Sequence, residues 1–141
     1  MSEANEWFKR GEEKLQSAKK TYSSGYFHDA FQLAREAVEL LLKSLLIKQG
    51  IPISVIKNVI SHNLSCMVEC INWKMFPNVN QNIIRSKVSQ LNNYKLESGE
   101  FCNAWQVSRS RYPEDISSRD AEENINIAFE IYNEIKKEFI K

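Results

Sequence analysis

The chain has 141 residues, 43% of them apolar and 26% charged, and its 19 basic and 18 acidic side chains leave a net charge of +1. This length fits one domain, which buries roughly 68–70% of the surface of its unfolded chain and so can hold a core without metals or disulfides. The balanced charge excludes a long electrostatic footprint on nucleic acid, so any RNA contact has to come from a local basic cluster.

Four glycines and three prolines leave few turns and favour long helices over many short strands. The three cysteines, Cys66, Cys70 and Cys102, are odd in number and widely spaced, which makes no disulfide framework and fits a reducing cytoplasm. The opening residues carry no apolar leader segment. The longest apolar stretch, residues 37–47, is interrupted by Glu39, Lys43 and Ser44 and is too short to span a bilayer. The expectation is a cytoplasmic protein with no membrane association.

In chain order, a first helix is predicted over residues 4–22, where Trp7, Gly11, Leu15, Ala18 and Tyr22 fall on one face. The SSG of residues 23–25 ends it, with Gly25 suited to a left-handed C-cap. A second helix, residues 27–49, places Phe27, Phe31, Ala34, Val38, Leu41 and Leu45 at alternating steps of four and three. Ala30, Ala37, Leu42 and Leu46 widen that stripe, as in a helix buried on more than one side. Gly50 and Pro52 terminate it. Val55, Ile56, Val59 and Ile60 suggest a short helical turn, and a third helix follows over residues 63–73. Trp73, Met75 and Phe76 then form an apolar cluster that either caps the core or faces a partner. A fourth helix is expected over residues 80–97, ended by Gly99, and residues 100–116 are irregular, with one turn around Trp105. The last helix, residues 118–139, has Ser117 as N-cap, Asp120 at its positive end and an apolar stripe from Ala121 to Phe139. Such helices pack as an all-α, up-and-down bundle of about five helices, with no strand-period segment competing.

Several of these pieces, in this order, resemble the HEPN domain of the small stand-alone prokaryotic type, over nearly the whole of residues 1–141. Trp7 sits early in the first helix, and GYFHDAFQLAREAVELLLKSLL follows over residues 25–46. Its AVELLLK element is similar to the family's A-V-E-x-x-x-K pattern. His62 and Leu64 open the third helix, and Arg111, Tyr112 and Pro113 precede the last. Two departures stand out. HEPN ribonucleases carry an Arg, a short spacer and a His near the last helix, whereas no histidine follows His62 here, and neither His28 nor His62 has an Arg four to seven places upstream. The stretch between Leu91 and Arg109, with Cys102 and Trp105, is longer than in compact relatives.

The candidate phosphate site is Arg109, Arg111, Tyr112 and Pro113, with Arg119 beyond. Pro113 fixes its own backbone and biases Tyr112 to an extended shape, which aims Arg111. A guanidinium fork binds phosphate bidentately, and the N-terminus of the last helix adds N–H groups suited to an anion. The plainer alternative is a structural turn in which Arg111 pairs with Glu114, Asp115 or a carboxylate of the second helix. Glu39 is expected to position Arg111, and Lys43 to join the anion site; the alternative is an ordinary i,i+4 pair contributing about 0.2–0.5 kcal/mol. His62 offers an acid–base group near neutral pH, or else a helix N-terminal imidazole bonded to backbone. His62, Cys66 and Cys70 are spaced like a metal comb, but the outer two lie about 12 Å apart on a helix, so no metal and no cofactor are expected.

These features point first to a non-catalytic module binding a nucleotide or RNA phosphate through Arg109, Arg111, Tyr112 and Lys43, with Glu39 and Pro113 in support. The resemblance implies a homodimer and a nucleotidyltransferase partner in a toxin–antitoxin or defence-like system. A metal-independent endoribonuclease with a degenerate site, using Arg111 and His62, is the second reading, and a protein-interaction module with a structural Arg-Tyr-Pro turn is the third.

Overall fold

The computed structural model describes residues 2–102 and 116–139. Helix α1 (Glu3–Ser23) starts at Ser2, whose side chain accepts from the Asn5 N–H. Helix α2 (Phe27–Lys48) runs back along it and is the axis of the bundle. A short helix, α3 (Ile53–Val55), passes into a π turn at Ile56–Ile60. Helices α4 (Leu64–Cys70) and α5 (Gln81–Asn92) follow, each capped by an asparagine side chain, Asn63 and Asn80. Helix α6 (Ser118–Ile135) closes the bundle against α2, α5 and α1. The all-helical bundle expected from the periodicity is what forms.

The wide stripe of α2 is used within one chain. Ala34, Ala37, Val38, Leu41, Leu42, Leu45 and Leu46 are all fully buried, under α1, α4 and α6. Each such leucine contributes on the order of 1.5–3 kcal/mol by leaving water. The width of the stripe therefore needs no second subunit to explain it. Arg35, on the same helix, is 2% exposed. It donates to the Leu91 carbonyl at 2.9 Å and to Asn124 Oδ1 at 3.1 Å, with its guanidinium over the Phe31 ring, so it ties α2 to α5 and α6.

The structure departs from the sequence expectation in the core residue of α1 and in the ends of the later helices, the third of which stops at Cys70 instead of residue 73. In α1 it is Phe8, not Trp7, that enters the core, stacking on Tyr132 and Phe139 at 5.7 and 4.5 Å. Trp7 stays half-buried at the edge. The fourth helix stops at Asn92 instead of residue 97. Tyr94–Lys95 (β1) pairs antiparallel with Phe101–Cys102 (β2), a two-stranded hairpin in which Gly99, at φ 96°, turns the chain. Tertiary contacts override helix propensity here. Leu96 is buried, and the Tyr94 hydroxyl reaches Asp120 and Glu123 on α6, which a continuing helix would not allow. Finally, the last helix gives way to a 3₁₀ turn at Lys136–Glu138. The Trp73–Phe76 cluster mostly caps the core: Phe76 is buried and Trp73 packs against it, while Met75 is exposed.

Two phenols are locked to carboxylates. Tyr132 bonds Glu12 of α1, and burial together with that carboxylate pushes its pKa up to about 12. Tyr94 is raised too, by burial first and then by Glu123 and Asp120. A phenol held neutral more firmly in the fold than in the unfolded chain stabilises fully below its ordinary value of 10.0. That contribution is lost as pH rises through the folded value, about 12 for Tyr132. The expected result is a steep fall in denaturant midpoint above pH 10, shallower in Tyr132→Phe; an equal slope in both proteins would remove Tyr132 from the account.

Candidate functional site

The π turn and the residue after it set up the site. Ser61 donates its N–H to Ile56 O, an i→i−5 closure, and sits at φ 53°, ψ −118°. That conformation is costly for a side chain with a Cβ, on the order of 1–3 kcal/mol, and π turns and strained residues concentrate where a side chain must be aimed. The next residue is His62. Its Nδ1 lies 2.7 Å from Glu39 Oε1 on α2. Asn63, not His62, caps α4, by accepting from the Cys66 N–H at 3.0 Å. The imidazole is thus held by a carboxylate instead of the backbone.

Glu39 is shared. Lys43, one turn along α2, approaches its other oxygen at 3.5 Å, and the Lys43 side chain is 8% exposed. The Lys43 ammonium also faces the Trp7 ring at 5.9 Å, and Arg10 lies over the same ring at 4.8 Å. Arg10 and Lys43 thus share the Trp7 ring, and Lys43 and His62 share the Glu39 carboxylate. Trp7 and Arg10 were missed as site residues from sequence, because an aromatic at helical spacing reads as core.

Of the expected site residues, Glu39, Lys43 and His62 come together. Arg109, Arg111, Tyr112 and Pro113, with Trp105, lie outside the described residues. The N-terminus of α6, expected to offer N–H groups to an anion, meets the protein's own side chains. Ser117 Oγ accepts from the Asp120 N–H at 3.0 Å, and the Asp120 carboxylate accepts from the Ser117 N–H at 3.2 Å. Glu97 and Glu123 stand beside it through Ser117 and Tyr94, and Arg119 is bound to Glu123 at 2.9 Å. A phosphate at this helix end would meet those carboxylates.

A cleft of about 580 Å³ opens beside His62, between α4 and α5. Cys66 and Cys70 face each other on α4 with sulfurs 4.0 Å apart. Burial and the Cys66 thiol push the Cys70 pKa up. Among the described residues no group of three or more His, Cys, Asp or Glu side chains is placed to hold a metal ion.

The HEPN domain model matches residues 4–101. The chain belongs to the HEPN family. The matched segment takes in α1 to α5 and the start of the hairpin, and so includes Trp7, Glu39, Lys43 and His62; it ends before Arg109. Neither a curated protein nor a solved structure matches the chain. No helix among the described residues is long and apolar enough to cross a membrane.

Proposed function

We propose that this HEPN domain is a non-catalytic module that binds the phosphate of a nucleotide or of RNA. It acts as a homodimer beside a nucleotidyltransferase partner in a toxin–antitoxin or defence-like pair. The observation that carries the binding reading is a chain of contacts in which Arg10 and Lys43 face the Trp7 ring while Lys43 and His62 share the Glu39 carboxylate. A chain of net charge +1 needs such a local cluster to hold a phosphate. Arg109, Arg111 and Tyr112, stiffened by Pro113, supply the remaining contacts in this reading.

The test is fluorescence anisotropy with a labelled oligoribonucleotide and competition by nucleoside monophosphate, at several salt concentrations. Lys43→Met keeps the packing of the stem and removes the charge; it and Arg111→Ala are each expected to weaken binding about tenfold and to lower the salt slope by about one. Binding that is unchanged in both variants refutes the phosphate site. Light scattering at twice the 16.4 kDa chain mass is the result expected of the homodimer.

The His62–Glu39 bond favours a second reading, a metal-independent ribonuclease. A carboxylate that fixes one imidazole nitrogen leaves the other to take the 2′-hydroxyl proton, with Arg111 stabilising the developing phosphorane charge. Incubation with mixed RNA in EDTA decides between the two. No cleavage is expected; cleavage by the unmodified protein that fails in His62→Ala and Arg111→Ala would make it an enzyme.

A further inference from the structure

The α4–α5 cleft has a construction that the phosphate cluster does not use. Its floor is apolar, made by Leu64, Val68 and Val88, each at most 4% exposed. Its rim is polar but carries no excess charge. Arg85 is held there by Glu69 at 2.6 Å and Gln81 at 3.2 Å, so its charge is met by a carboxylate. A phosphate gains nothing from such a rim. A flat neutral ring with donors and acceptors along its edge gains from both parts: apolar faces against the floor, and polar edges at the rim.

The rim groups suit such an edge. Asn92 Nδ2 donates to Ser65 Oγ at 2.6 Å, a bond that ties α5 to α4 across the cleft. It uses one N–H of the amide and leaves its Oδ1 and second N–H with no partner among the described residues. Asn93 donates Nδ2 to Ser89 O at 3.0 Å, which likewise leaves Oδ1 and one N–H. An amide presenting an acceptor and a donor side by side is complementary to the edge of a nucleobase. A guanidinium held at the rim is suited to stack on the base. The volume, about 580 Å³, is of ligand-site size.

We infer that the α4–α5 cleft is a nucleobase pocket, which takes one unstacked base of the nucleotide or RNA whose phosphate lies at the Lys43–His62 cluster. His62 lines the cleft and bonds Glu39, so the two sites adjoin. The inference rests on the phosphate reading for its ligand class, and the experiment separates the two.

Uncharged ribonucleosides and inorganic phosphate are titrated separately into protein with labelled Leu and Val methyls, followed by NMR. Nucleosides are expected to shift Leu64, Val68 and Val88, and phosphate to leave those methyls unmoved. Ser89→Tyr, which fills the cleft from an exposed position, and Asn92→Leu are each expected to weaken oligoribonucleotide binding at least tenfold. Circular dichroism melts confirm that both variants fold; a variant that does not is replaced by Ser65→Tyr, which fills the cleft from the opposite wall. RNA binding that survives filling of the cleft, with no nucleoside shifts, overturns the pocket and leaves the phosphate reading standing. Nucleoside shifts without any effect of Lys43→Met on RNA affinity support the pocket and overturn the phosphate cluster. Absence of both nucleoside and RNA binding overturns both.

Discussion

Gly11→Val is expected to lower the melting temperature by roughly 10 °C, the equivalent of about 3 kcal/mol for a domain of this size. A Cβ at Gly11 would lie 2.9 Å from Leu41 Cγ, 3.0 Å from Leu41 Cδ2 and 3.3 Å from the Ala37 carbonyl oxygen. Leu41 is fully buried and cannot swing out, and the Ala37 oxygen moves only if α2 moves. The missing side chain thus sets how closely α1 and α2 approach. Alanine at this position gains about 1 kcal/mol of helix propensity, which offsets much of its overpacking. Valine has less of that gain and drives two further carbons into α2. The check is a thermal melt of wild type, Gly11→Ala and Gly11→Val by circular dichroism. The expected order has Gly11→Ala near wild type and Gly11→Val well below it; equal melts for all three would mean that the helices separate without cost.

That contact illustrates how far the sequence reaches. Gly11 was legible as a member of the α1 stripe, but the distance that makes it necessary depends on Leu41, thirty positions away. The stripes of α2 and α6 were read correctly because a 3.6-residue period over five or six turns leaves one solution. The Ser117 cap was legible for a local reason, since Ser117 and Asp120 close their box within one turn. Where two apolar residues are adjacent, periodicity does not choose between them: Trp7 and Phe8 both fit the spacing to Gly11, and Phe8 is the one that is buried. Gly99 reads equally as the end of a helix or the turn of a hairpin, and only Tyr94 and Leu96 finding α6 and the core decides it. Arg35 carries no sequence signal of its own, because its partners, Leu91 and Asn124, come from 56 and 89 positions away.

The candidate site divides the same way. Glu39 and Lys43 are a local pair, legible at i,i+4. His62 joins them across 23 positions, through a π turn and a strained Ser61 that no propensity scale announces. The cleft has no sequence signature at all, because serines and asparagines scattered over α4 and α5 become a rim only when the two helices lie side by side.

Asp120→Ala is expected to destabilise by about 3 kcal/mol, with loss of order in the hairpin ahead of the bundle. Asp120 is fully buried and is the hub of the junction between hairpin and last helix. Its carboxylate accepts from the Ser117 N–H at 3.2 Å, the Glu97 N–H at 3.1 Å and the Tyr94 hydroxyl at 3.1 Å. Alanine removes the reciprocal half of the capping box, typically about 1 kcal/mol. It also strips the partner from the Glu97 amide, which costs on the order of 1–3 kcal/mol when left unpaired, and removes one acceptor from the Tyr94 hydroxyl. Removing one of three neighbouring carboxylates relieves some repulsion from Glu97 and Glu123, so the sum stays below the total of the lost bonds. Asp120→Asn keeps the shape and one acceptor oxygen, and is expected to recover about half the loss. Denaturant melts rank the variants, and amide exchange at Leu96 and Glu97 locates the effect, with faster exchange there than in α2. If Asn is as damaging as Ala, the carboxylate acts through its charge on the helix end and not through its acceptor geometry; if exchange rises uniformly, the hairpin and the bundle unfold as one unit and Asp120 is simply part of the core.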